Sequence, residues 1–344
     1  MSEPANTFPS PAPGRARTAW AVALIALSVV AAYHNCLHAP FVFDDLSAIP
    51  ENASIRKLWP VWGALSPPSS GSTVGGRPVA NLTLALNFAL SGSDPWSYHA
   101  VNLLIHILGG VTLFGIVHRT LRRPFLSGRF GADATPLALA VALLWSLHPL
   151  QTEAVTYVIQ RVESLMGLLY LLTLYCFIRS VESPRPFRWK LCAVAACLLG
   201  MATKEVMATA PALALLYDRT FVAGTFQKAW RQRRGLYMAL AATWLPLAFL
   251  VASTGWTRGG SVGFGSTTAP MAYWMTQCEA IARYFWLSLW PHPLVFDYGT
   301  SLTSHTGEAA LCAIAVAAVA AAALVACRGG GLPALGFLGA WTFL

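Results

Sequence analysis

Apolar runs recur along the chain from Thr18 to its C-terminus, separated by short polar stretches, in the pattern of membrane-spanning helices. They predict segments near 18–34, 98–118, 136–148, 164–180, 189–203, 206–218, 236–254, 271–290 and 309–327, with a last one opening at Leu332. Several are shorter than the about 20 residues that a perpendicular helix needs to cross roughly 30 Å of hydrocarbon. The run from Trp189 to Tyr217 also fits one long helix interrupted by Lys204 and Glu205. Its flanks decide for a hairpin: Arg185, Arg188 and Lys190 open it, and Arg219, Lys228, Arg231, Arg233 and Arg234 follow, so both ends fall on the cytoplasmic side. Leu137 through Ile178 is a second hairpin by the same logic, bounded by Arg119, Arg122, Arg123 and Arg129 before and Arg179 after. Its polar middle, His148 to Ser164, faces outward.

Composition agrees with an all-α polytopic membrane protein: of 344 residues 56% are hydrophobic and only 11% charged, and the mean hydropathy is +0.55. Residues 1–17 read as a disordered cytoplasmic tail, polar and Pro-rich up to Gly14, and the first span as an uncleaved signal anchor. Residues 18–344 then form one transmembrane domain. Most of the 23 Lys and Arg fall inside on this topology; Arg56, Lys57, Arg77, Arg161, Lys204, Arg258 and Arg283 are left outside or within the membrane. The net charge of +9 is therefore a topology signal and gives no reason to invoke nucleic acid. Met271 to Trp290 is apolar enough to span yet holds Glu279 and Arg283; laid in or re-entering the outer leaflet, it keeps Asp297 outside and Arg328 inside. The seven cysteines are scattered without C-x-x-C spacing and read as packing residues.

The outer segments are a first loop over residues 35–95, turns at 148–164 and 203–206, and a loop over 255–308. Asp44 and Asp45 stand side by side in the first, and neighbouring carboxylates that resist desolvation at a membrane edge point to work on a proton or a cation. A Pro/Ser/Gly-rich stretch (Ser66 to Gly76) and Arg77-Pro78 follow, then Leu82 to Leu90, whose spacing predicts a short helix on the membrane surface. Pro149 should break or open a helix, leaving His148 at the end of one span and Glu153, Arg161 and Glu163 before the next. Carboxylates able to take a proton, set against Arg and Lys able to neutralise a phosphate, are what sugar transfer from a lipid phosphate requires.

The run Phe41-Val42-Phe43-Asp44-Asp45, then Arg77-Pro78, Pro95-Trp96-Ser97-Tyr98-His99-Ala100-Val101-Asn102, His148-Pro149 to Thr152-Glu153-Ala154-Val155, Lys204-Glu205 and Trp290-Pro291 to Phe296-Asp297, resembles in order the transmembrane and tetratricopeptide-repeat O-mannosyltransferase family. The resemblance implies the C-type glycosyltransferase fold and a polyprenyl-phosphate sugar donor, with mannose passed to a hydroxyl of a protein or glycan acceptor at the bilayer's outer face. It makes Asp44 the catalytic base, with Asp45 as neighbour or alternative. Arg77, Arg161 and Lys204 become ligands of the donor phosphate; for Arg161 a plain pairing with Glu163 stays open. His148, Glu153, Glu163, Glu205 and Asp297 are left to bind or orient donor or acceptor, and His148 equally reads as a helix-end hydrogen-bonding residue. No cofactor is required; a divalent cation held by Asp44 and Asp45 is the minority alternative, since two acids make a poor cage. No 34-residue period occurs, and the chain stops at Phe343-Leu344 inside an apolar run, so the family's repeats are expected beyond it. The Ala-rich composition points to a bacterial inner membrane, where the sequons at Asn52 and Asn81 need not be used. A transporter or lipid flippase, or a non-enzymatic scaffold, are the rival readings.

Overall fold

The computed structural model describes residues 13–68, 72–254, 270–299, 306–328 and 333–342. The tail up to Ala12, Arg258, the Gly259 to Gly265 stretch and Leu332 lie outside the described residues, as do Phe343 and Leu344. Every regular element among the described residues is helical. The first helix, Pro13–Tyr33, starts five residues before the apolar run, so the stretch from Pro13 to Arg17, expected to be disordered, is helical. A proline at the first position suits a helix start, since its missing N–H has no intrahelical partner there.

Trp96–Leu121, Ala134–Ser146, Arg161–Glu182, Pro186–Met201, Ala210–Asp218, Pro270–Leu289, Thr306–Arg328 and Pro333–Trp341 follow the apolar pattern, while Phe226–Ala242 with Trp244–Ser253 starts ten residues before the run expected at 236–254 and takes its basic flank into the helix. Among the described residues five helices are long and apolar enough to cross a membrane, and six if Ala134–Ser146 and the turn Pro149–Thr156, bent by 53°, count as one span. Both expected hairpins are present. Pro149 opens a 3-10 turn as anticipated, with the His148 Nδ1 accepting from Leu150 N at 3.2 Å. In the second hairpin, the Glu205–Thr209 turn joins Pro186–Met201 to Ala210–Asp218 and folds back on the first of them, and Gly200 allows the approach: a Cβ there would meet the Met207 Sδ at 2.6 Å.

Helices in lipid gain little from burying apolar surface against one another, so close packing of small residues matters more. Ala21, Ala138 and Ala142 are fully covered where the first helix and Ala134–Ser146 meet Trp96–Leu121. The central core is aromatic: Tyr217 lies edge-on to Phe177 at 6.4 Å and to Phe337 at 5.7 Å.

The first loop builds a core of its own on one end of the bundle. Ile49, Ile55, Val74 and Leu84 are buried there against Val158 and Ile159 of the 157–160 turn. The expected short helix is present as Pro78–Ser91, and its inner face packs into this cap rather than resting on lipid alone. At the opposite end Arg119 and Arg123 pair with Glu182, and Arg219 donates to the carbonyl of Cys327. His148 Nε2 meets the Ser288 carbonyl at 3.1 Å, and Phe296 packs on Phe43 and Tyr157. Asp297 therefore sits at the end that carries the acidic pair, and the Cys327 end of Thr306–Arg328 meets Arg219 at the basic end.

Candidate active site

Phe43 turns a strained corner, with φ 47° and ψ −119°, a conformation that costs a non-glycine residue of order 1–3 kcal/mol. The corner sends the next two carboxylates in different directions. Asp45, 1% exposed, points into the cap: its Oδ1 accepts from Ile159 N at 2.8 Å and its Oδ2 from Val42 N at 3.2 Å. Burial pushes its carboxyl up to about 6, against the pull of these backbone hydrogen bonds. Asp44 stays exposed, its Oδ2 accepting from the Thr73 hydroxyl at 2.9 Å, and its own N–H donates to the Tyr157 hydroxyl at 2.9 Å.

Thr73 also links Asp44 to the first cation, because its carbonyl accepts from Arg77 Nη1 at 2.7 Å. Arg77 precedes the Pro78–Ser91 helix, which is tied to the second hairpin by Val79 N donating to the Ala202 carbonyl at 3.2 Å. That tie brings Arg77 Nη2 within 3.4 Å of Glu205 Oε1. Lys204, next in line, is partly buried and ion-paired with Glu163. Burial, and then the charge of Arg77, holds its ammonium below the usual lysine range. Asp44, Arg77, Lys204, Glu163 and Glu205, spread over three outer segments, are thus gathered at one end of the bundle.

The remaining residues are placed elsewhere. Arg161 does not reach this group. It is 1% exposed, with Nε on Asn102 Oδ1 at 2.6 Å, Nη1 on Asn87 Oδ1 at 2.5 Å and Nη2 on the Tyr98 carbonyl at 2.7 Å. Its donors are taken up by the protein rather than turned to the group around Asp44, and it makes no ion pair with Glu163. His148 caps a turn, Glu153 accepts from Gln160 Nε2 at 3.1 Å on the surface, and Asp297 accepts from Gly299 N at 2.8 Å. The Pro95 to Asn102 motif proves to be a frame: Asn102 Nδ2 donates to the Val158 carbonyl at 3.1 Å, and the His99 Nε2 lies 3.1 Å from the Ala39 carbonyl. Thr73 and Tyr157 escaped notice in the sequence, where one lies in a Ser/Gly-rich stretch and the other beside more conspicuous charges.

Asn52 and Asn81, the sequon asparagines, are both buried, and Asn52 Nδ2 donates to Asn81 Oδ1 at 2.9 Å. Neither amide is open to modification in the folded chain. Among the described residues no group of three or more His, Cys, Asp or Glu side chains is placed to hold a metal ion. Both oxygens of Asp45 accept from backbone N–H groups, and Asp44 Oδ2 accepts from the Thr73 hydroxyl.

Residues 75–254, more than half of the chain, match the family of dolichyl-phosphate-mannose-protein mannosyltransferases. The chain belongs to this family. The match takes in Arg77, the Asn102 and Arg161 frame and Lys204, and begins after the acidic pair. Among individual proteins the chain is similar to Protein O-mannosyl-transferase tmtc2 of Xenopus laevis, 33% identical over 54% of this chain and 22% of the relative. It is likewise similar to Protein O-mannosyl-transferase TMTC2 of Mus musculus, at 27% over 78% of this chain and 34% of the relative. Protein O-mannosyl-transferase TMTC3 of Homo sapiens is 31% identical over 57% of this chain and 21% of the relative. The chain thus spans only a fifth to a third of these relatives' lengths. No solved structure matches.

Proposed function

We propose that this chain is the membrane domain of a glycosyltransferase that moves a sugar, mannose, from a polyprenyl phosphate to a hydroxyl group of a protein. The single observation that carries the reading is the exposed Asp44 carboxylate, joined through Thr73 to Arg77 and grouped with Lys204. Asp44 takes the proton of the acceptor hydroxyl as its oxygen attacks the anomeric carbon. The bond from that carbon to the phosphate oxygen breaks, and the polyprenyl phosphate leaves with the added negative charge. Arg77 and Lys204 meet that charge, and Glu205 and Glu163 hold the two cations in place until the phosphate shares them. In this reading the reaction faces away from the basic loops, on the periplasmic side of a bacterial inner membrane; the positive-inside rule and the Ala-rich composition support that side.

The decisive test is transfer by the purified chain from a panel of polyprenyl-phosphate sugars to peptide acceptors. Turnover with the mannosyl donor is the expected result; uptake or flipping of the lipid without a new glycosidic bond would sink the proposal in favour of a transporter. Within it, Lys204→Ala should weaken apparent donor affinity by on the order of 10- to 100-fold, the worth of a charge-assisted contact of about 1.5–3 kcal/mol. Unchanged affinity for both the lipid donor and its bare phosphate removes Lys204 from the phosphate site.

A further inference from the structure

A cavity of about 450 Å³ opens at the basic end of the bundle, between the start of the Pro186–Met201 helix and the middle of Phe226–Ala242. It lies at the end opposite the acidic pair. Its rim carries Lys190, Arg231 and Arg234, and its walls are Phe187, Leu191 and Leu236. Phe187 and Leu191 are 75% and 60% exposed, although Ala193, Ala196 and Cys197 of the same helix are buried.

The backbone explains how so many cations border one cavity. Successive residues on a regular helix are about 100° apart, so five in a row cannot share one opening. Here residues 231–235 all do, because the helix kinks at Arg233, where φ is −133° and ψ 22°. The fully buried Asp218 takes the Arg233 guanidinium with both oxygens, each at 2.9 Å, and so neutralises that one cation. Lys190, Arg231 and Arg234 have no ion-pair partner among the described residues.

We propose that this cavity is a binding site for an anionic phospholipid, its headgroup phosphate on Lys190, Arg231 and Arg234 and its acyl chains along Phe187, Leu191 and Leu236. Basic pockets between membrane helices on the cytoplasmic face recognise acidic headgroups, and uncompensated cations above an apolar wall match a lipid better than a soluble anion. Such a lipid bridges the second hairpin and the helix that follows it.

The test uses the full chain in nanodiscs of phosphatidylcholine containing phosphatidylglycerol, with retained lipid read by native mass spectrometry after release into detergent. The wild type should retain phosphatidylglycerol selectively. The triple variant Lys190→Gln, Arg231→Gln, Arg234→Gln should lose that selectivity at least about tenfold. A control triple, Arg185→Gln, Arg188→Gln, Lys228→Gln, removes equal charge from the same end and should keep it. Equal loss in both triples, or selectivity retained in the first, overturns the site. So does displacement of the lipid by glycerol 3-phosphate, which would mark a plain phosphate site. Arg231→Gln alone, expected to give a partial loss, covers failure of the triple variant to fold; full retention there overturns the proposal equally.

Discussion

Asp44→Asn should cut sugar transfer by about 10²–10⁴-fold, the usual worth of a positioned general base, while membrane insertion and donor binding hold. The carboxylate is exposed and its structural ties are light: Asn keeps an oxygen for the Thr73 hydroxyl, and the Asp44 N–H bond to Tyr157 is untouched. Asp45→Asn should behave otherwise. Its two oxygens face two backbone donors, Ile159 N and Val42 N, so an amide presents an NH₂ group to one of them and leaves a buried donor unpaired, at about 1–3 kcal/mol. That variant should lose thermal stability and activity together. Measuring turnover, donor affinity and melting side by side separates the two: an Asp44→Asn protein with undiminished turnover rules it out as the base, and an Asp45→Asn protein that melts normally and is inactive hands it that role.

The same two residues show how far the sequence reaches. Hydrophobic runs and flanking charges placed both hairpins, because the membrane imposes length and sign on each segment separately, and those constraints are local. The His148-Pro149 break was legible for the same reason. The division of labour between Asp44 and Asp45 was not, since it depends on a hydrogen bond to Ile159, 114 residues away, and on a strained Phe43 that no composition rule announces. Arg77 and Lys204 were legible as charges out of place at a membrane edge, but their meeting rests on the tie between Val79 and Ala202. Arg161 stood out for the same reason as Lys204 and went to another fate. The signal that distinguishes it lay in Asn87 and Asn102, polar residues within apolar helices, whose purpose becomes visible only when three segments close around one guanidinium.

Arg161→Met should accordingly damage the fold rather than donor recognition. The arginine spends all three guanidinium nitrogens on Asn102, Asn87, Thr83 and the Tyr98 carbonyl, so it joins the Pro78–Ser91 helix, the Trp96 end of the next helix and its own helix start. Methionine fills much of the volume but leaves several buried oxygens without donors, each at about 1–3 kcal/mol. Expression in the membrane and the melting temperature in detergent should both fall clearly. Arg161→Lys should recover little, because an ammonium on a single stem cannot reproduce the planar fork that reaches both asparagines and the carbonyl. A methionine variant that melts like the wild type yet loses affinity for the polyprenyl phosphate would return Arg161 to the donor site. The first loop would then have to open to admit the phosphate, since the guanidinium lies beneath Thr83 and Tyr98 in the closed cap.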